Sequence, residues 1–271
     1  MGFDRFRDSE RSGWDARAGL YADATARVTL QSIPALLARA RLFHGARVLD
    51  AGCGPGYVAG CASLLGAKAE GVDFAQQMVK QAQANFPHLP FQTADIEDLP
   101  FAQDSFDAVL SNIVLFHVTD PARAIQEAAR VLRADGIFAF SQWLGPARSA
   151  CYRMMFDVLG AHADMSLADP APDAYALSDH ESVTDMMTAA GFEDIQIEEV
   201  PNVLHAPAPG FFDFFMRFGV RIPLILDRQT PAVRDTIRDE IDARAAAFLD
   251  GDTYKIPMPS LVVSGRKAAV S

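Results

Sequence analysis

Apolar and polar positions along this chain follow two periods, and each change of period marks a new element. The first dozen residues are polar and densely charged, which predicts a mobile arm. From Ser12 to Leu42 apolar residues return at helical spacing: Trp14, Ala18 and Tyr21, then Val28, Leu30, Ile33, Leu36, Leu37 and Leu42. Pro34 is tolerated in a first helical turn, so two helices are expected here. Arg47-Val-Leu-Asp50 then reads as a short buried strand, followed by a glycine-rich turn and a helix from about Tyr57 to Leu65. Strands at Ala67–Val72, Phe91–Ala94, Phe106–Ser111 and Ile137–Trp143 follow, with helices at Phe74–Asn85 and Pro121–Leu132 between them. Strands alternating with helices in this way predict βαβ units around a parallel sheet.

After Trp143 the pattern loosens. Arg148–Ala163 has helical spacing, Asp164–Leu177 is a Pro- and Asp-rich loop, and Ser178–Ala190 is a capped helix ended by Gly191. Phe192–Val200 alternates as a strand. An aromatic helix (Phe211, Phe212, Phe214, Phe215, Phe218), a charged helix (Ala232–Leu249) and a last strand near Ser260–Ser264 complete the chain. The expected organisation is a helical segment at 1–46, a core at 47–144, and a remainder at 145–271 with helical cap insertions at about 147–178 and 206–250.

Composition narrows the possibilities. With 271 residues, half of them hydrophobic, the chain suits one large α/β domain with insertions or a domain with a cap. No apolar run is long enough to span a bilayer, and no apolar stretch follows the N-terminal charges as a signal peptide requires, so the chain reads as soluble and cytoplasmic. A net charge of −11 repels phosphate backbones, which argues against a nucleic-acid partner. Cys53, Cys61 and Cys151 read as reduced thiols, and the six histidines are too scattered to form a metal site.

The chemistry concentrates in Val48-Leu-Asp-Ala-Gly-Cys-Gly-Pro-Gly56. Gly52, Gly54 and Gly56 let the backbone turn sharply after a strand and approach a ligand closely, and the next helix start offers N–H groups to it. A dinucleotide enzyme uses a related loop. Asp50, however, sits where it would repel a pyrophosphate and could meet an ammonium group. Asp73 ends the second strand, where an acid can accept from both ribose hydroxyls. Asp95 ends the third, where a carboxylate can accept from the exocyclic amine of an adenine. Taken singly, each acid is equally well a solvated strand end; three at successive strand ends beside one glycine loop point to a nucleoside ligand.

Together with Gly-Val-Asp-Phe, Thr-Ala-Asp-Ile-Glu-Asp-Leu-Pro-Phe, Ser-Phe-Asp-Ala-Val and Ala-Ala-Arg-Val-Leu-Arg-Ala-Asp-Gly, this loop makes residues 47–143 resemble a class I S-adenosylmethionine-dependent methyltransferase, similar to the ubiquinone/menaquinone-biosynthesis type and its small-molecule relatives. The resemblance implies an α/β Rossmann-like fold, a mostly parallel seven-stranded sheet with helices on both faces and helical cap insertions, completed by the strands at 192–200 and 260–264. It implies S-adenosyl-L-methionine as cofactor and S-adenosyl-L-homocysteine as product. Asp50, Cys53 and the glycines would lie at the methionine end, Asp73 at the ribose, and Asp95 and Ile96 at the adenine. Phe74 and Met78 would pack on the adenine or ribose, and Asn112 would hold the methionine moiety. Trp14 and Tyr21 resemble the family helices that close over the donor.

The acceptor is read from what remains. Ser111-Asn-Ile-Val-Leu-Phe-His117 lacks the Asn- or Asp-Pro-Pro-aromatic motif of base methyltransferases, so a small-molecule acceptor is favoured. His117 matches a position where the small-molecule relatives often carry histidine. It is either a general base or a packing histidine behind the donor. Trp14, Trp143, Met154, His205, Phe211 and Phe215 are the candidate pocket residues for an aromatic or polyketide-like acceptor methylated on oxygen or carbon. The Phe-rich helix could instead be plain core or a homodimer contact. Methyl transfer from a sulfonium depends above all on alignment, which can supply roughly 10⁵–10⁸ M of effective molarity against about 10²–10⁴-fold from a base. The rival readings are a cofactor-binding relative that does not methylate (a cyclase or a regulator) and a nicotinamide-dependent oxidoreductase.

Overall fold

The computed structural model describes residues 3–269. Its strands are β1 (Arg47–Ala51), β2 (Lys68–Asp73), β3 (Phe91–Thr93), β4 (Phe106–Asn112), β5 (Leu132–Trp143), β6 (Phe192–Val200), β7 (Val203–Pro207), β8 (Leu249–Asp250), β9 (Thr253–Pro257) and β10 (Ser260–Lys267). The main helices are α1 (Asp4–Arg17), α2 (Ala26–Thr29), α3 (Ile33–Arg39), α4 (Tyr57–Leu64), α5 (Gln76–Asn85), α6 (Pro121–Val131), α7 (Ala150–His162), α8 (His180–Ala189), α9 (Phe211–Phe218), α10 (Arg221–Leu226) and α11 (Pro231–Ala245).

Seven strands form one sheet in the order β3-β2-β1-β4-β5-β10-β6. β1 pairs in parallel with β2 and β4, and β10 runs antiparallel between β5 and β6. This is the expected Rossmann-like sheet. Val48 and Leu49 of β1, on opposite faces, are both fully buried. A sheet covered on both sides needs such continuous apolar strands, which is why Arg47-Val-Leu-Asp-Ala reads without alternation. The strand order turns back between β1 and β4, and in open α/β sheets ligands bind beyond the strand ends at such a switch point. The glycine loop leaves β1 there and Asn112 ends β4 there.

The structure departs from the expectations in two places. Of the mobile arm expected at 1–12, Met1 and Gly2 lie outside the described residues, and the rest belongs to helix α1. Phe6, Glu10 and Trp14, at i, i+4 and i+8, share one buried face, while Asp4, Asp8 and Arg11 stay exposed. A carboxylate in the middle of that face hid the apolar stripe. The helix also packs closely: a Cβ on Gly13 would stand 2.3 Å from Val220 Cγ1. Second, helix α10 and strand β8 fall within 206–250, where two helices alone are expected, and β7 and β9 pair with β8 from segments on either side to make a small sheet in the order β7-β9-β8. The charged helix ends at Ala245, so Leu249 falls in β8. No helix among the described residues is long and apolar enough to cross a membrane.

Candidate active site

One large cavity opens beyond the carboxyl ends of β1, β2 and β4, roofed by α1, α9 and α10. It holds about 1330 Å³ with its open mouth included. Its lining joins strand-end polar residues (Asp73, Asp95, Asn112) to a group of aromatic ones (Trp143, Tyr152, Tyr175, Phe215).

The glycine loop forms the floor of one end. Gly52, Gly54 and Gly56 all have positive φ (78°, 49° and 83°), a region L side chains rarely enter. A Cβ on Gly52 would clash with Val114 Cγ1 at 2.5 Å, whereas in front of Gly54 there is only open space. The loop's own N–H groups are largely occupied within the fold. Those of Gly52 and Cys53 both donate to Val72 O, that of Gly54 to Asp73 Oδ2 at 2.8 Å, and that of Gly56 to Cys53 O. The donors expected at the start of the next helix are a separate set, and one of them, the Ala59 N–H, is taken by Asp50.

Asp50 does not line the cavity. It is 1% exposed, and its Oδ2 accepts from the Ala59 N–H at 2.9 Å, in the first turn of α4. A carboxylate from within the fold therefore fills the place where a phosphate would meet the helix dipole. Its Oδ1 is buried without a partner, and burial, outweighing the Ala59 bond, pushes its pKa up to about 7. Cys53 and Gly56 are likewise absent from the cavity wall: Cys53 is buried, and a Cβ on Gly56 would meet the Phe91 ring at 2.8 Å.

Asp73 does line it, with 6% exposure. Oδ1 accepts from the Ala75 N–H at 2.9 Å and Oδ2 from Gly54, leaving one lone pair on each oxygen for a pair of hydroxyls. Burial raises its pKa to about 6, against the pull of those two bonds and of His117. Phe74, Met78, Asp95 and Ile96 line the same end. Asp95 Oδ1 accepts from the Glu97 N–H, and Arg7 Nε lies 3.7 Å from Oδ2. Asn112, Tyr21 and Trp14 close the wall toward the middle. The Asn112 amide is pinned between Thr29 O and the Ser141 hydroxyl, and the Tyr21 hydroxyl meets Thr29 Oγ1 at 3.3 Å. Burial pushes the Tyr21 phenol up to about 12.

His117 lines the cavity beside Trp14 and close enough to Asp73 to favour its charged form. Its Nδ1 is 2.7 Å from Oε2 of Glu10, a carboxylate only 1% exposed, and the Trp14 ring meets its edge at 5.2 Å and 87°. Neither Glu10 nor its neighbour Arg7, which donates to Glu97 and Thr119, was foreseen, because both sit on the segment that reads as an arm.

The other end is aromatic. Trp143 and Phe215 line it as expected, together with Tyr152, Phe156, Tyr175 and Phe218. Three expected pocket residues lie elsewhere. Met154 and Phe211 are packed in the C-terminal core, Phe211 against Tyr254 at 5.7 Å. His205 is exposed on β7, where Leu204 and Ala206 take the inward positions.

Sheet order and glycine turn define a Rossmann-like fold, and the strand-end acids at its switch point have the chemistry to meet a nucleoside. The methyltransferase domain family matches residues 49–140. The chain is 36% identical over 125 residues to the malonyl-[acyl-carrier protein] O-methyltransferase of Pseudescherichia vulneris, which covers 46% of this chain and 50% of that protein. It is 28% identical over 172 residues to the demethylmenaquinone methyltransferase of Renibacterium salmoninarum, covering 60% and 73%. The crystal structure of YcgJ from Bacillus subtilis superposes with a TM-score of 0.59 at 21% identity, over 88% of this chain and 99% of that one, and shows the shared fold. The chain spans about half the length of the malonyl-carrier relatives it matches. Residues 49–140 belong to the class I S-adenosylmethionine-dependent methyltransferases, whose cofactor is S-adenosylmethionine.

The residues present fit that cofactor. The open floor at Gly54, the diol-accepting Asp73 and the apolar Ile96 and Met78 suit a ribose and adenine, and the helix end already capped by Asp50 does not suit a pyrophosphate.

Proposed function

We infer that the chain transfers the methyl group of S-adenosylmethionine to a small, largely apolar acceptor, aromatic or polyketide-like, on oxygen or carbon. The observation that carries this reading is one cavity lined at once by the strand-end acids, by His117 and by the aromatic group of Trp143, Tyr152 and Phe215. When bound, the cofactor supplies an electrophilic sulfonium methyl. The protein's own part is to hold and align. Asp73, Asp95 and Ile96 would fix the nucleoside, with the pinned Asn112 beside the methionine moiety. Trp143, Tyr152 and Phe215 would present the acceptor and exclude water. His117, held by Glu10, would take a proton from an acceptor hydroxyl on its other ring nitrogen. A screen of aromatic and polyketide acceptors with methyl-labelled donor tests this. Label in the small-molecule fraction is expected; label confined to protein or RNA contradicts it.

A further inference from the structure

The aromatic end of the cavity holds two phenols that the fold itself does not use. Tyr152 on α7 and Tyr175 on the following loop both line it, and Tyr152 is 8% exposed. Their rings meet at 5.8 Å and 70°, Trp143 stands 6.5 Å from Tyr152, and Phe156 closes the group at 6.1 and 6.2 Å from the two tyrosines. Contacts of this edge-to-face kind fix the rings in place.

A buried tyrosine ordinarily finds a partner for its hydroxyl. Among the described residues only the backbone atoms of these two form hydrogen bonds. Tyr152 N–H donates to Ser149 Oγ, Tyr175 N–H donates to Asp173 Oδ1, and Tyr175 O accepts from Ser178. Neither phenolic oxygen is among the polar atoms sealed inside the protein without a partner, so both stay reachable. Burial pushes both phenols well up, which keeps them protonated and able to donate. The cluster itself carries no charge. Arg221, which also lines the cavity, has its guanidinium on the Asp169 carbonyl and over the Phe6 ring at 5.7 Å.

We propose that Tyr152 and Tyr175 are a paired hydrogen-bond donor that selects a neutral acceptor whose planar apolar ring carries an oxygen acceptor group, such as an aromatic hydroxy-ketone. The proposal rests on reading this end of the cavity as the acceptor site. A pocket built to donate hydrogen bonds discriminates strongly against an analogue lacking the oxygen, because its buried donors are then left unpaired. The methyltransferase family match ends at residue 140, before either tyrosine, so this part of the wall is set by the chain's own later segments.

The chain has two tryptophans, and both line this cavity. Trp14→Phe leaves Trp143, beside Tyr152, as the sole tryptophan, read by tryptophan-selective excitation. In that variant, saturated with S-adenosylhomocysteine, 1-hydroxy-2-acetonaphthone should quench the fluorescence at lower concentration than 2-ethylnaphthalene does. Adding Tyr152→Phe or Tyr175→Phe should weaken the ketone about 2- to 10-fold each and leave the hydrocarbon unchanged. Equal loss for both probes, or no loss for either, overturns the paired donor. Quenching by neither probe before the tyrosines are changed contradicts the acceptor-site reading itself, and the proposal with it.

Discussion

The two ends of the cavity are made of different materials. At the donor end, Gly54, Asp73, Asp95 and Asn112 come one after another from the ends of β1, β2, β3 and β4. Each is held by hydrogen bonds, such as those from the Gly54 and Ala75 N–H groups to Asp73. At the aromatic end, Trp143, Tyr152, Tyr175 and Phe215 come from a strand, a helix, a loop and another helix, and ring packing holds them. A hydrogen-bonded floor loses its function when one bond is removed. An aromatic wall can change shape while the floor stays as it was. The two ends should therefore respond separately to substitution.

The largest effect should fall on the proposed base. His117→Ala should slow turnover of an accepted substrate about 10²–10⁴-fold while donor affinity moves by less than about threefold. Steady-state kinetics beside calorimetry with S-adenosylhomocysteine separates the two quantities, and unchanged turnover would remove His117 from the chemistry. Next, Asp73→Ala should weaken S-adenosylhomocysteine by about 100-fold, the worth of two hydrogen bonds to a charged group, and leave the aromatic probes alone. Calorimetry showing equal losses for donor and probe would merge the two ends into one.

A smaller effect concerns stability. Asp50 and Asp73 have folded pKa values near 7 and 6, raised by burial, so the folded protein holds these protons more tightly than the unfolded chain. Their contribution to stability is full below about pH 4 and is lost as pH rises through about 6 and 7. Asp50→Asn keeps an acceptor for the Ala59 N–H and removes the buried charge. Its amide NH2 is left unpaired where Oδ1 was, a cost that is the same at every pH; the variant's stability relative to the unchanged protein should therefore rise by on the order of 2 kcal/mol between pH 5 and pH 8. Thermal melts at both pH values check this, and an equal shift at the two would disprove the charge argument. Smallest of all, Phe215→Leu should weaken an aromatic probe about fivefold and change S-adenosylhomocysteine affinity by less than about twofold; a loss in donor affinity would show that the wall and floor are coupled.

The same contrast explains what was legible in the sequence. The sheet and its strand-end residues could be read because β1, the glycine turn and α4 are contiguous and each residue's role depends on near neighbours. Asp50 was placed correctly on its strand but points into the first turn of α4, which no pattern of polarity distinguishes from the cavity. Phe211 and Phe215 lie one helical turn apart on α9, yet one packs against Tyr254 and the other faces the cavity. Their difference is set by β9, some forty residues later, and is invisible locally. Glu10 was lost for the opposite reason. A charge on an inward face reads as surface until the His117 that satisfies it is seen beside it.

The proposed function requires donor and acceptor to occupy one cavity together. The most direct measurement is a calorimetric titration of 1-hydroxy-2-acetonaphthone into the protein, alone and saturated with S-adenosylhomocysteine. Binding is expected in both cases, with the bound nucleoside leaving the probe's affinity equal or higher. Displacement of one ligand by the other would contradict it.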